Sequence, residues 1–310
     1  MPDILFAASS ESWEEYEAPL RRAFDAVGLD ARIAPEMAPE EVEYVIYAPN
    51  SALQDFTPYT RLKAVLNLWA GVEDVVGNTT LKAPLARMVD PDGLTQGMVE
   101  WVTGHVLRHH LGMDAHIVNP ERRWDATPPP LATERPVTIL GLGTLGQACG
   151  AALGALGFPV TGWSRSAKQV DGIRCLHGAD GLAEALSGAQ IVVLLLPDTP
   201  QTENLMDAER LALPAPGAVL INPGRGPLID DDALIAALDA GQIGHATLDV
   251  FRTEPLPEDH AFWAHPKVTV TPHIASTTRP ETAALVIAEN IHRAETGAPL
   301  LHLVDRAAGY

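Results

Sequence analysis

The sequence predicts an α/β protein of parallel sheets in two domains, and three observations carry that prediction. Short apolar runs alternate with helical patterns through about the first ninety residues, and a second such series begins at Val137. The first strand candidate of that second series runs directly into a glycine turn that opens a helix. Strands that alternate with helices are joined by crossovers, the arrangement of a parallel sheet. At 310 residues, 46% of them apolar, the chain is long enough for two cores.

In order, "ILFAA" reads as a strand and "WEEYEAPLRRAFDAVG" as a helix that a glycine stops. "EYVIYAP", "LKAVLNLWAG" and "PLARMVD" continue the first series. In "DGLTQGMVEWVTGHVLRHHLGM", Met98, Trp101, Val102, His105, Val106 and His109 fall near helical spacing, which predicts a long helix. The proline-rich "NPERRWDATPPPLATERP" is a loop or arm. The second series takes "VTILGLG", "FPVTGW", "GIRCL", "AQIVVLLLP", "GAVLINPG", "GHATLDVF" and "VTVTPHI" as strands. Asp230–Asp232 read as the cap and first turn of the helix "ALIAALDAG". "RPETAALVIAENIHRAETGAP" closes the chain as a helix with Pro280 in its first turn.

Charge and cysteine content narrow the partners. Forty acidic residues against 21 basic ones argue against nucleic acid or an anionic membrane surface. Cys149 and Cys175 make no disulfide framework, and no apolar run is long enough to span a bilayer. The start does not resemble a signal peptide, so a cytoplasmic location is expected. An anionic substrate would need a locally positive site in this acidic chain, which gives weight to arginines near candidate loops.

In "GLGTLG", Gly141, Gly143 and Gly146 have the G-x-G-x-x-G spacing after an apolar strand. The first glycine permits the tight turn and the second lets a pyrophosphate approach the backbone. The third lets helix and strand pack closely, while the helix N-terminus favours the anion. An NAD site places a carboxylate for the ribose 2′-hydroxyl about 20 residues on. Here Ser164 and Arg165 stand in that place, with Lys168 nearby. A hydroxyl and a guanidinium suit a 2′-phosphate, so NADP(H) is the preferred cofactor. The alternative is NAD(H) with Arg165 a plain surface residue.

Three further stretches end predicted strands, where open parallel sheets bind ligands: "INPGRGPLIDDDAL", "TLDVFRTEPLP" and "VTPHIASTTRP". Arg225, between glycines, can present a planar fork to a carboxylate. Glu254 and His273 could form a proton-transfer pair, the acid orienting the imidazole and favouring its charged form.

With these stretches, "WAGVED", "GWSRS", "LLLPDTPQTENLM" and the closing "VDRAAGY", the chain resembles the D-isomer-specific 2-hydroxyacid dehydrogenases along nearly its whole length, most of all their glyoxylate/hydroxypyruvate reductase branch. The resemblance implies two Rossmann-like or flavodoxin-like domains: residues 1–94 and 278–310 form the substrate domain, and residues 95–277 the inserted cofactor domain. It implies that Arg225 binds the carboxylate and carbonyl oxygen of a 2-oxoacid, that His273 delivers the proton, and that Glu254 holds His273 protonated. Backbone N–H groups of Ala70 and Gly71 would take the substrate carboxylate, with Trp69 and Ser276 lining the pocket. Thr144 and Leu145 of the glycine turn, Leu196 and Pro197 beside the adenine, Thr202, and Asp249 at the nicotinamide carboxamide would complete the cofactor site. A hinge is expected near Gly93–Thr95 and Ala275–Arg279.

Two departures bear on the substrate pocket. Trp69 stands where this branch often has a small residue, and Met98 where it usually has a small polar residue beside the nicotinamide. His105, His109, His110 and His116 invite a metal reading, but no cysteine or carboxylate cluster completes it. The expected activity is NADPH-dependent reduction of a small 2-oxoacid to the 2-hydroxyacid, in a homodimer whose interface uses the apolar surface of the helix from Met98. The alternatives are a dehydrogenase of the D-lactate or phosphite type, or a non-catalytic protein of the same fold that senses nicotinamide nucleotides.

Overall fold

The computed structural model describes residues 1–309, so Tyr310 of the closing "VDRAAGY" lies outside the described residues. The chain forms two compact units, one of Met1–Leu94 with Thr277–Tyr310 and one of Thr95–Ser276. Both are α/β, and each holds one wholly parallel sheet, the fold class expected.

The first unit has five strands: β1 (Asp3–Ala7), β2 (Arg32–Ala34), β3 (Tyr44–Tyr47), β4 (Ala64–Asn67) and β5 (Leu85–Ala86), in the order β2-β1-β3-β4-β5. β1 shows why both faces are apolar. Ile4 and Phe6 join Leu20, Phe24, Ala283, Ala284 and Ile287 on one side, while Leu5 and Ala7 join Val45, Tyr47, Val65 and Val75 on the other. The first of these cores is closed by the helices Ser10–Ala26 and Pro280–Glu295. β2 is only three residues long, which is why no apolar run announced it.

Asp90, 1% exposed, gathers the ends of this unit. Its carboxylate accepts the N–H groups of Asp92 and Gly93 (both 3.0 Å) and Leu94 (3.2 Å), and the Thr282 hydroxyl at 2.6 Å. Within this unit the stretch that ends at Leu94 and the helix that follows Thr277 are thereby tied to one buried acid.

The second unit has seven strands: β6 (Val137–Leu140), β7 (Val160–Ser164), β8 (Arg174–His177), β9 (Ile191–Leu194), β10 (Ala218–Asn222), β11 (Ile243–Leu248) and β12 (Val268–Val270). Their order, β12-β11-β10-β9-β6-β7-β8, reverses direction between β6 and β9. In an open parallel sheet, ligands bind at the carboxyl edge of that switch point, and β6 ends there in the glycine turn. The helix Gln96–His110 lays Met98, Val102 and Val106 into this unit's core beside Val219 and Ile221. Met98 is therefore core packing, and the stripe expected to form a subunit interface is already covered inside the unit.

Candidate active site

Each glycine of the turn has its own physical reason. Gly141 has a φ of 112°, and a Cβ there would sit 2.3 Å from the Leu195 carbonyl oxygen. A Cβ on Gly146 would lie 1.8 Å from the Gly141 oxygen, so only glycine lets the helix Thr144–Ala155 start this close to β6. At Gly143 a Cβ would meet nothing within 4 Å. That open backbone, at the cap of a 12-residue helix carrying Thr144 and Leu145 in its first turn, fits an approaching phosphate.

Ser164 ends β7 next to exposed Arg165. Its hydroxyl donates to the Ser166 carbonyl at 2.8 Å, shaping the turn. The Lys168 ammonium donates to the Leu142 carbonyl at 2.6 Å, which brings this cation onto the glycine turn itself. Leu196 and Pro197 follow β9. The Thr202 hydroxyl donates to the Pro197 carbonyl at 2.7 Å, bracing the loop that carries them.

The loops after β10, β11 and β12 carry the remaining candidates. Arg225 donates from Nη1 to the Gly224 carbonyl at 2.7 Å. Its turn is built by Asn222, wholly buried, which accepts the Gly224 N–H at 3.1 Å and donates to the Arg225 carbonyl at 2.8 Å. Gly226 then presses on the next loop: a Cβ there would lie 2.0 Å from the Phe251 carbonyl carbon. Arg252 joins the same two loops through its guanidinium, which donates to the carbonyl of Ile229 and the side chain of Asn204.

Glu254 and His273 are brought together at 2.6 Å, between Oε2 and Nδ1. The other carboxylate oxygen of Glu254 accepts the Phe251 N–H at 2.8 Å, so the acid is aimed by its own loop. A carboxylate only accepts, so the hydrogen of this bond is on Nδ1 and Nε2 is the ring nitrogen left for another partner. His273 has a φ of 53°, a left-handed conformation that a non-glycine residue keeps only when its surroundings impose it.

Asp249 imposes much of it. Fully buried, it accepts the Thr271 hydroxyl (2.6 Å) and the N–H groups of Ile274 (2.9 Å) and Ala275 (2.8 Å), while its carbonyl takes the His273 N–H at 2.8 Å. Ser276 lies against Gly97, where a Cβ would come 3.1 Å from its hydroxyl. On the first unit, Trp69 is 42% exposed, with Ala70 and Gly71 half-buried beside it.

The histidines of the long helix are occupied in packing. His109 Nε2 pairs with the Thr247 hydroxyl at 2.8 Å and its ring lies 4.8 Å from that of His245. Burial, with His245 and Arg108 nearby, lowers the His109 pKa to about 3. His105 lies tilted against Trp101, their ring centroids 4.2 Å apart, and His110 meets Phe158 edge-on.

Sequence reading missed Asn222, Thr271 and Arg252. Asn222 left a trace, since Asn-Pro-Gly is a turn signature. Thr271 and Arg252 left none, because their partners are distant in sequence.

Residues 104–275, more than half of the chain, match the NAD binding domain of the D-isomer specific 2-hydroxyacid dehydrogenases. The chain belongs to this family. It is similar to the glyoxylate/hydroxypyruvate reductase A of Serratia proteamaculans, 41% identical over 258 residues that span 81% of this chain and 82% of that one. The reductase of the same name from Yersinia enterocolitica is 38% identical over 80% and 82% of the two lengths. Among solved structures, the family member from Xanthobacter autotrophicus Py2 in complex with NADPH and MES aligns with a TM-score of 0.93 at 42% identity, covering 100% of this chain and 99% of that one. An NADPH-dependent glyoxylate/hydroxypyruvate reductase from Sinorhizobium meliloti in complex with NADP and sulfate aligns at 0.89 and 34% identity over the whole of both chains. As a D-2-hydroxyacid dehydrogenase, this chain is an NAD(P)-dependent oxidoreductase.

Proposed function

We propose that this D-2-hydroxyacid dehydrogenase reduces glyoxylate, hydroxypyruvate and similar small 2-oxoacids with NADPH. The observation that carries the reading is the 2.6 Å pair of Glu254 and His273 at the carboxyl edge of the sheet that holds the glycine turn. The names of the relatives, glyoxylate/hydroxypyruvate reductase, support the choice of substrate.

The residues of the turn fit a dinucleotide: Gly143 leaves the backbone open while Gly141 and Gly146 allow the close packing around it. Gly141, Gly143, Thr144, Leu145 and Gly146 would hold the pyrophosphate, Leu196, Pro197 and Thr202 the adenosine side, and Asp249 the carboxamide. Ser164 and Arg165 would take the 2′-phosphate. When bound, NADPH supplies the hydride. Arg225 binds the substrate as a bidentate fork and stabilises negative charge that develops on the carbonyl oxygen. His273 gives that oxygen the proton of Nε2, and Glu254 stabilises the imidazolium before the transfer and orients the ring during it. The Ala70 and Gly71 amides are assigned to the substrate carboxylate, with Trp69 and Ser276 bounding the acyl group.

A steady-state screen of glyoxylate, hydroxypyruvate, pyruvate and bulkier 2-oxoacids with NADPH and NADH tests this. The expected result is the highest kcat/KM for glyoxylate and hydroxypyruvate with NADPH. Tight NADPH binding without turnover on any of them would replace the enzyme by a nucleotide sensor, and equal kcat/KM with NADH would remove Ser164 and Arg165 from the phosphate site.

The protein is proposed to work in the cytoplasm as a homodimer; among the described residues no helix is long and apolar enough to cross a membrane. The interface is assigned to the segment 111–131, which exposes Ile117, Val118, Leu131 and Trp124, the last of these 95% exposed.

A further inference from the structure

We infer that Asn67 is a positioning residue that sets the substrate-carboxylate loop, an inference that rests on the assignment of the Ala70 and Gly71 amides above. Asn67 ends β4 and is 1% exposed. Its amide nitrogen donates to the Trp69 carbonyl at 2.8 Å and to the Gly71 carbonyl at 2.7 Å. The opposite amide orientation would set Oδ1 against both carbonyl oxygens, so the two acceptors dictate which way the group faces.

The consequence follows from peptide geometry. In a planar trans peptide the carbonyl and the next N–H point in opposite directions. Drawing the Trp69 carbonyl inward turns the Ala70 N–H outward. Holding the Gly71 carbonyl fixes the peptide on the far side, and the peptide that carries the Gly71 N–H is held between them. Other bonds serve the same end: the Met88 N–H donates to the Trp69 carbonyl at 3.1 Å, and the Thr278 hydroxyl to the Leu68 carbonyl at 2.9 Å. The carbonyls of Leu68, Trp69 and Gly71 are thus all engaged. Among the described residues no acceptor takes the N–H of Ala70 or Gly71. A pair of adjacent donors without internal acceptors is what a carboxylate requires.

Asn67 also carries a cost that packing alone would not select. Its Oδ1 is buried and unpartnered among the described residues. An unpaired buried acceptor is unfavourable, and a small apolar residue at the end of β4 would avoid it. What such a residue could not do is donate twice.

The test compares Asn67→Ala and Asn67→Asp with the unaltered protein, reading kcat, KM for glyoxylate, the inhibition constant of oxamate, NADPH affinity and Tm. In Asn67→Ala the Gly71 carbonyl loses its donor, and KM and the oxamate constant should rise together by about tenfold or more, the worth of a hydrogen bond to a charged group. NADPH affinity, governed by the other unit, should stay within about twofold of the unaltered protein. Asn67→Asp, which sets a carboxylate against both carbonyls and near an anionic substrate, should lose more. Unchanged KM and oxamate constants in Asn67→Ala overturn the inference even if Tm falls, because a purely structural role would move Tm alone. If Asn67→Asp does not fold, Asn67→Ala decides. Absence of 2-oxoacid turnover in the unaltered protein is a separate outcome that overturns the proposed function and this inference with it.

Discussion

Arg225 and the Glu254–His273 pair are the side chains on which the proposed chemistry turns, and each makes a different prediction. Arg225→Lys keeps a charge but loses the planar fork, so kcat/KM for glyoxylate should fall about a hundredfold, the usual loss when one transition-state donor is removed. NADPH binding, read by fluorescence titration, should barely change. Turnover near that of the unaltered protein would take Arg225 out of the site. Glu254→Gln keeps the shape of the group 2.6 Å from His273 but removes the charge that faces the ring. With the ring less firmly oriented and its positive charge no longer balanced, kcat for glyoxylate should fall about tenfold or more while NADPH affinity holds. Unchanged kcat in this variant would uncouple the acid from the proton donor. The meeting of Glu254 and His273 was legible in the sequence, because each sits in a short stretch that ends a predicted strand of the same parallel sheet.

The strand–turn–helix at β6 is legible for a related reason: its requirements are local. The distinction between its glycines still needs coordinates. Gly146→Ala would gain about 1 kcal/mol of helix propensity, but its Cβ would stand 1.8 Å from a backbone oxygen, and overpacking of that kind costs about 1–3 kcal/mol or more. The clash wins, so Tm should drop and NADPH affinity should weaken. Gly154 lies in the same helix with nothing within 4 Å of a Cβ, so Gly154→Ala should raise stability by about 0.5–1 kcal/mol with NADPH affinity intact. Equal thermal shifts for the two variants would refute this account of the turn. The long helix went the other way. Its apolar spacing was plain, but spacing cannot say what covers a stripe, and Met98, Val102 and Val106 proved to face their own core.

Stability of the whole chain should fall on the acid side, and His109 shows the sign. Its folded pKa is lowered to about 3 by burial, so below the ordinary value of 6.5 the unfolded chain binds a proton that the folded one refuses. The stabilisation is complete above that value and is lost as pH falls toward the folded one. At pH 5 the loss from this one group is about 2 kcal/mol. His105 and His245, also lowered by burial, act in the same direction. Tm measured between pH 7.5 and 4.5 should decline, and His109→Gln, which can still bond Thr247 but does not titrate, should decline less steeply. Parallel curves would acquit His109. Assembly is the second prediction for the intact molecule. Sedimentation velocity should give a dimer, and Trp124→Asp should weaken it without lowering NADPH affinity; a monomer in the unaltered protein would leave the apolar residues of 111–131 to another partner.

Taken alone, the order of residues determined the two parallel sheets, the glycine turn, the absence of an acid at Ser164 and the pairing of Glu254 with His273. These are properties of short stretches, where alternation, turn residues and spacing act within a few positions of one another. Tertiary structure decided what depends on neighbours far along the chain. It decided that Asp249 reaches across more than twenty residues to hold the His273 loop in a left-handed turn, that Asn222 shapes the Arg225 turn while Arg252 ties the end of its loop to the next, and that Asn67 draws two carbonyls inward. The reason is that a hydrogen bond is read from the approach of two groups, and a side chain's type says only that it can donate or accept, not which backbone the fold will bring to it.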